Sequence, residues 1–254
     1  MQSLLEVTKG RVTQASKTSL PFYSLFRTSL LILIMGLFVS FPSQADTLGV
    51  SPVRVTLSAQ NPVASITVKN ASDRPKSIQL RLYNWQHEGQ KTQLTATKDL
   101  IAAPPIAVIP ANQTQIVRVG LRIKPDSEIE KSYRLMIEEL PPKDNVGIAM
   151  TLRISIPVFI APEKAAQNKL NWRVEHRDDS SFLVVENSGT AHAKINQLSL
   201  NPPALTNSAP TGNIYILPNS YYEWKLSSEV KKHNELVVKA DILGDAVSQT
   251  LPTH

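Results

Sequence analysis

Between Ile148 and Phe159 the chain reads Ile-Ala-Met-Thr-Leu-Arg-Ile-Ser-Ile-Pro-Val-Phe. Extended backbone sends successive side chains to opposite faces, so Ile148, Met150, Leu152, Ile154, Ile156 and Val158 form one unbroken apolar stripe. As a single strand it would run to roughly 40 Å at about 3.3 Å per residue, against an ordinary strand length of about 5–6 residues. That is longer than a small sandwich needs to cover its own core, so part of the stripe is available to another protein. A strand lining a two-sheet core has the same period, and on the stripe alone the core reading stays open. The turn-like Pro141 to Asn145 precedes it and Ala161-Pro162-Glu163-Lys164 follows, which makes it the last strand of a first domain and an expected sheet edge.

The rest of the chain has the same character. Nine glycines, eighteen prolines and short alternating runs read as all-β. Strands are expected over Leu48–Leu57, Ala64–Lys69, Ser77–Trp85, Gln113–Val119 and Ser132–Leu140, with turns at Asn70 to Pro75, Pro104-Pro105 and Pro110 to Asn112. A second series follows Ala161 to Lys169: Leu170–His176, Phe182–Asn187, Ala193–Leu200, Ile214–Leu217, Tyr221–Leu226 and Leu236–Leu243. Ile66 to Ala71 and Leu183 to Ser188 share a pattern, an apolar strand ending in Asn at a turn, which points to two similar sandwiches in tandem.

Leu30 to Val39 is a short apolar run behind Lys9, Arg11, Lys17 and Arg27 and ahead of Ser43 and Ala45. It is too short to span a bilayer and reads as a secretory signal over residues 1–45, cut after Ala45. The expected organisation is then a first sandwich over 46–163 and a second over 164–254. The leader holds much of the basic charge: without it the formal +6 falls to +3. A mildly basic exported chain with no run of Lys and Arg among aromatics gives no footing for nucleic acid. The absence of cysteine excludes disulfides, thiolate metal sites and cysteine nucleophiles, and suits an oxidising compartment.

No catalytic pattern emerges. The five histidines stand apart, without the close spacing of a metal-ligand pair, and no nucleophile elbow or phosphate-cradling loop is present. Glu138 and Glu139 are neighbours on an expected strand and face opposite ways, a poor acid–base pair, with one of them expected in solvent. No enzyme, cofactor or metal is expected. Arg54, Arg118, Arg134 and Arg153 are isolated cations within apolar strands, for which a wet face is the ordinary explanation.

Several segments, in order, resemble the periplasmic chaperones of chaperone–usher pilus assembly. They are Val50-Ser51-Pro52-Val53-Arg54-Val55, Ala103-Pro104-Pro105, Ile109-Pro110, Gln115 to Val119, Tyr133 to Pro142 and Ile154 to Phe159. The resemblance implies two immunoglobulin-like domains set at an angle, with pilin subunits and an outer-membrane usher as partners. It gives the stripe a meaning: Ile148, Met150, Leu152 and Ile154 would fill the groove of a subunit that lacks its own last strand, while Ile156 and Val158 stay in the chaperone's core. An open subunit edge is an aggregation template and needs cover. A second copy of the chaperone capping its free edge is also open.

The family further implies a pair of basic residues holding the subunit's terminal carboxylate. Arg54 matches the first, but Pro157 stands where a lysine is usual, leaving Arg153 and Arg118 as candidates for the second. Ala161 stands where an arginine usually ties the domains together. These departures, with the Ser-Pro-Val-Arg opening, resemble the archaic, spore-coat-type branch. The competing reading is a secreted structural or adhesive fibre component in which the stripe is merely core.

Overall fold

The computed structural model describes residues 47–126, 128–141, 150–204 and 214–254. The expected signal segment and Ile148 lie outside the described residues.

The first expected strand is divided. β1 (Leu48–Ser51) pairs with one sheet and β2 (Val55–Leu57) with another. Pro52 has no amide proton with which to continue a ladder, and the chain crosses between sheets there. Then come β3 (Val63–Asn70), β4 (Lys76–Glu88), β5 (Lys91–Ala96), β6 (Leu100–Ala103), β7 (Ile106–Ile109), β8 (Thr114–Leu121), β9 (Lys131–Leu140) and β10 (Arg153–Ile160). One sheet has the order β1-β3-β8-β6; the other runs β2-β10-β9-β4-β5, with β7 also on β4. Alternation does what it should: Ile66, Val68, Ile78, Leu80, Val117, Val119, Leu135, Ile137, Ile156 and Val158 meet between the two sheets. Each such side chain contributes about 1.5–3 kcal/mol on burial.

The second series builds another core. β11 (Leu170–Arg177), β12 (Ser180–Asn187), β13 (Ala193–Asn201), β14 (Ile214–Ile216), β15 (Ser220–Leu226), β16 (Glu235–Ile242) and β17 (Asp245–Pro252) form sheets ordered β11-β12-β15 and β14-β13-β16-β17. A 3-10 turn, Ser228–Lys232, leads into β16. Trp172, Leu183, Val185, Ile195, Ile216 and Leu236 fill the space between these sheets. β17 had no signature in the sequence, because every residue of it but Leu251 is exposed and no apolar stripe is needed.

The long stripe is shorter as a strand than its pattern suggests. β10 begins at Arg153, and Met150 to Leu152 lie outside the ladder. The Glu139 N–H still donates to the Leu152 carbonyl at 2.8 Å, but the Leu152 N–H turns to Glu139 Oε2 at 3.2 Å. A carboxylate has taken the amide that the next rung would use. Nor is β10 an edge throughout: Val158, Phe159 and Ile160 are covered by the parallel β2, and only Arg153 to Pro157 have a free side.

Candidate functional site

The free stretch of β10 continues directly from the two most exposed members of the stripe among the described residues. Met150 is 95% and Leu152 41% exposed, whereas Ile154 packs half-buried against the first core and Ile156 is 1% exposed. Thr151, Arg153 and Ser155 of the other face are exposed. The stripe thus emerges from the core along its own length. Glu138 and Glu139 both hold ion pairs beside it. Glu138 receives Arg153 Nε at 2.9 Å and Arg81 Nε at 3.6 Å, and Glu139 receives Lys76 Nζ at 2.5 Å, with both carboxylates largely buried. The expectation that one of them stands in solvent is corrected by these partners.

The three cations named from the sequence as anchor candidates, Arg54, Arg118 and Arg153, do not come together. Arg118 lies on β8 between Ser65 and Ala103, exposed on the outer face of the sheet that does not contain β10. Arg153 is at the start of β10, committed to Glu138. Arg54 immediately precedes β2, and the parallel register Val55↔Val158 carried back one residue sets it beside Pro157. On the other side of Pro157 the antiparallel register places Arg134. Arg134 on β9, one strand spacing of about 4.8 Å away, and Arg54 just ahead of β2 therefore flank a residue with no charge and no amide proton.

Arg134 is the residue that sequence reasoning passed over. Its Cζ lies 3.6 Å from the Trp85 ring centroid and 5.7 Å from that of Tyr215, and no carboxylate pairs with it among the described residues. Burial pushes its guanidinium down to about 10. Burial raises the Tyr215 hydroxyl, against which the charges of Arg54 and Arg134 both act, so the two arginines bear on one spot. A half-desolvated guanidinium without a carboxylate partner among the described residues, with a second one nearby, has the chemistry to accept an anion, and a carboxylate fits its fork. The sequence signal, Pro157 in place of a cation, could be completed only by knowing which residue lies across the ladder.

The cleft floor is where the halves meet. Trp85, Phe159, Tyr215 and Leu217 form a buried cluster drawn from both. His192 stacks on Phe159 at 3.7 Å between ring centroids, and its Nδ1–H donates to Glu130 Oε1 at 2.7 Å. The same oxygen accepts the His192 main-chain N–H at 3.1 Å. The β4–β5 hairpin reaches across as well: Gln90 Nε2 donates to the Glu223 carbonyl at 2.5 Å, and Gly89 sits against the Tyr221 ring. These contacts join the halves where Ala161 has no side chain to do so. Beside them is a cavity of about 590 Å³ lined by His87, Asp99, Glu130, Ser132 and Tyr133 among others. Tyr133 donates to Asp99 at 2.8 Å, and burial raises its hydroxyl far above the ordinary value. No group of three or more His, Asp or Glu converges on a metal position among the described residues.

Residues 47–166 match the family described as pili and flagellar-assembly chaperone, PapD N-terminal domain. Over 127 residues the chain is 25% identical to the uncharacterized fimbrial chaperone YhcA of Escherichia coli K12, a match covering 49% of this chain and 54% of that protein, so it spans about half the relative's length. Among solved structures, the CsuC-CsuE chaperone–tip subunit pre-assembly complex from the archaic Csu pili of Acinetobacter baumannii aligns over 81% of this chain and 98% of its own, with TM-score 0.63 at 20% identity. The Salmonella enterica SafA pilin–SafB chaperone complex aligns over 82% and 98%, with TM-score 0.60 at 14% identity. The E. coli chaperone DraB covers 81% and 95%, with TM-score 0.57 at 16% identity. At these identities the structural likeness establishes the fold, all-β and shared with pilus chaperones.

Proposed function

We propose, from the match of residues 47–166 to the pilus-chaperone N-terminal-domain family, that the chain is a PapD-like pilus chaperone and binds pilin subunits by lending them a strand. The observation that carries this is the stripe leaving the core: Met150 and Leu152 stand out at 95% and 41% exposure beside the free side of Arg153 to Pro157. A subunit strand adds along that edge through main-chain hydrogen bonds, while Met150, Leu152 and Ile154, continued by Ile148, enter its groove. Burying two such side chains yields about 3–6 kcal/mol before association costs. Main-chain pairing is indifferent to side-chain identity, so one chaperone can serve related subunits.

The subunit's terminal carboxylate is held between Arg54 and Arg134 on either side of Pro157, with Trp85 as the platform for Arg134. Arg153, paired with Glu138, and Arg118, on the other sheet, have no part in this anchor. The chaperone acts in the periplasm after export and passes its subunit to an outer-membrane usher; no nucleotide is required, since the next subunit's own strand can replace the lent one.

Co-purification with a pilin encoded beside it tests the reading. Met150→Asp with Leu152→Asp should abolish capture while the thermal midpoint falls by no more than about 4 °C, because Met150 is 95% and Leu152 41% exposed. Arg134→Ala should weaken capture at least tenfold, as should a pilin with an amidated C-terminus, and the two losses should not add. A strand variant that captures normally sinks the lent-strand reading. Additive losses from Arg134→Ala and amidation remove Arg134 from the anchor.

A further inference from the structure

His87 is on the cavity wall at the junction, two residues beyond Trp85 on the same face of β4. An indole N–H can only donate, and Trp85 Nε1 is 2.8 Å from His87 Nε2. Nε2 therefore offers a lone pair, and the neutral ring carries its proton on Nδ1, which is buried. A second proton has one place to go, and there it would meet the indole N–H head on. Thr92 Oγ1 of β5, 3.3 Å from Nε2, can take that proton only if the indole withdraws.

The surroundings oppose the charged ring. Arg134 of β9 lies over the face of the Trp85 ring, and Tyr215 of β14 packs on that ring at 5.5 Å. Glu88, Asp99, Glu130 and Lys131 share the cavity wall. Burial lowers the imidazole to about 4, the Arg134 charge adding to the effect and the Tyr215 main-chain carbonyl opposing it. His192, the other imidazole at the junction, differs in having Glu130 as an acceptor for its Nδ1–H.

We propose that acid opens the junction between the two sandwiches: a proton on His87 breaks the Trp85–His87 hydrogen bond, sets a second cation beside Arg134, and loosens the Trp85, Phe159, Tyr215 and Leu217 cluster that joins the halves. The cavity gives solvent its route to the ring. Because Trp85 is also the platform of Arg134, opening displaces a guanidinium at the cleft. The device is a property of the free chain and does not depend on the subunit-binding reading.

The chain has no cysteine of its own, so Thr67→Cys and Ser248→Cys, both exposed and one in each half, can carry spin labels. Pulsed electron–electron distance measurement should give a narrow distribution at about pH 7.5 that broadens reversibly by about pH 4.5, with the far-ultraviolet circular dichroism unchanged. In a His87→Gln background the amide oxygen still accepts the indole N–H but cannot titrate, and the distribution should stay narrow. A parent that stays narrow in acid, or a Gln variant that broadens as much, overturns the proposal. Should the Gln variant not fold, nitrogen-15 spectra of the unmutated imidazole decide. The Nδ1–H tautomer titrating below about pH 5, at the midpoint of the broadening, supports the device; an Nε2–H tautomer, or titration near about 6.5, overturns it.

Discussion

One asparagine turn closes both halves of the molecule, and its surroundings differ. Asn70 at the end of β3 and Asn187 at the end of β12 are both fully buried, and each Oδ1 accepts the main-chain N–H two residues on, from Ser72 and from Gly189, at 3.0 Å. Each Nδ2 reaches the end of an apolar strand, donating to the Ile109 carbonyl in one case and that of Ile216 in the other. In the first half the turn closes on itself, with Ser72 Oγ donating to Asn70 Oδ1 at 2.6 Å. In the second it serves the connection between halves. Asn187 Oδ1 also accepts the Lys169 N–H at 3.0 Å, and a Cβ on Gly189 would fall 2.3 Å from the Gln167 carbonyl oxygen. The same local chemistry was kept twice, and its second copy fixes the path by which the chain enters the second sandwich.

The comparison breaks most readily at the asparagines. Asn70→Ala strips the carbonyls of Arg74, Ile109 and Pro110 of a donor, and Asn187→Ala does the same to Ala191 and Ile216. Buried groups left unpaired cost about 1–3 kcal/mol each when water cannot replace the partner, so each variant should lose about 3–4 kcal/mol in denaturant unfolding. The two should part in a second measurement. Limited proteolysis should cut Asn187→Ala near residues 161–169 while Asn70→Ala leaves that connection intact. Equal protection of the connection in both would mean that the second turn does not hold it.

This pair also marks what could be read before any coordinates. The strand-then-Asn pattern at Ile66–Ala71 and Leu183–Ser188 was visible, as were the all-β character and the apolar stripe, because alternation is written residue by residue. Cross-strand facts were not. That Pro157 lies between Arg54 and Arg134 depends on the registers of β10 with β2 and β9, and Arg134 reads alone as one more wet cation. The strand ended at Arg153 rather than Met150 because the Glu139 carboxylate intercepts an amide, a tertiary contact that periodicity cannot encode. β17 escaped notice for the opposite reason, being nearly all exposed.

The histidines sharpen the contrast between the halves. His176 in the second has both ring nitrogens engaged, with Ser181 Oγ at 2.8 Å and the Thr253 carbonyl at 2.9 Å. His87 in the first is held near 4 by burial and Arg134. A base whose folded value is depressed is neutral in the fold and takes up its proton more readily when unfolded. Its contribution is therefore present above the unfolded value of about 6.5 and is lost as pH falls from there toward about 4. By about pH 5 the loss attributable to His87, reduced by solvent screening of a partly exposed ring, should be about 1 kcal/mol, measured as the difference in acid dependence between the unmutated chain and His87→Gln. An unchanged dependence in the variant would move the acid sensitivity elsewhere.

The smallest effects should come from the surface charges, and there the halves differ in sign of purpose. On β11, Arg173 and Arg177 share Glu175, with Glu186 and Glu223 completing a network that satisfies itself. Exposed pairs of this kind contribute little, so Arg177→Ala should leave denaturant unfolding nearly unchanged and subunit capture untouched. Arg134→Ala loses a cation–π contact worth about 0.5–1 kcal/mol but also removes a partly desolvated charge that has no counter-ion among the described residues, and the two effects oppose. Its stability should stay within about 0.5 kcal/mol of the parent while capture falls. A guanidinium kept at an energetic draw is explained by a ligand rather than by the fold. Were Arg134→Ala to cost more than about 1 kcal/mol in denaturant unfolding, Arg134 would be a structural residue like those of the closed network, and the distinction between an open half and a closed one would fail at the residue on which it most depends.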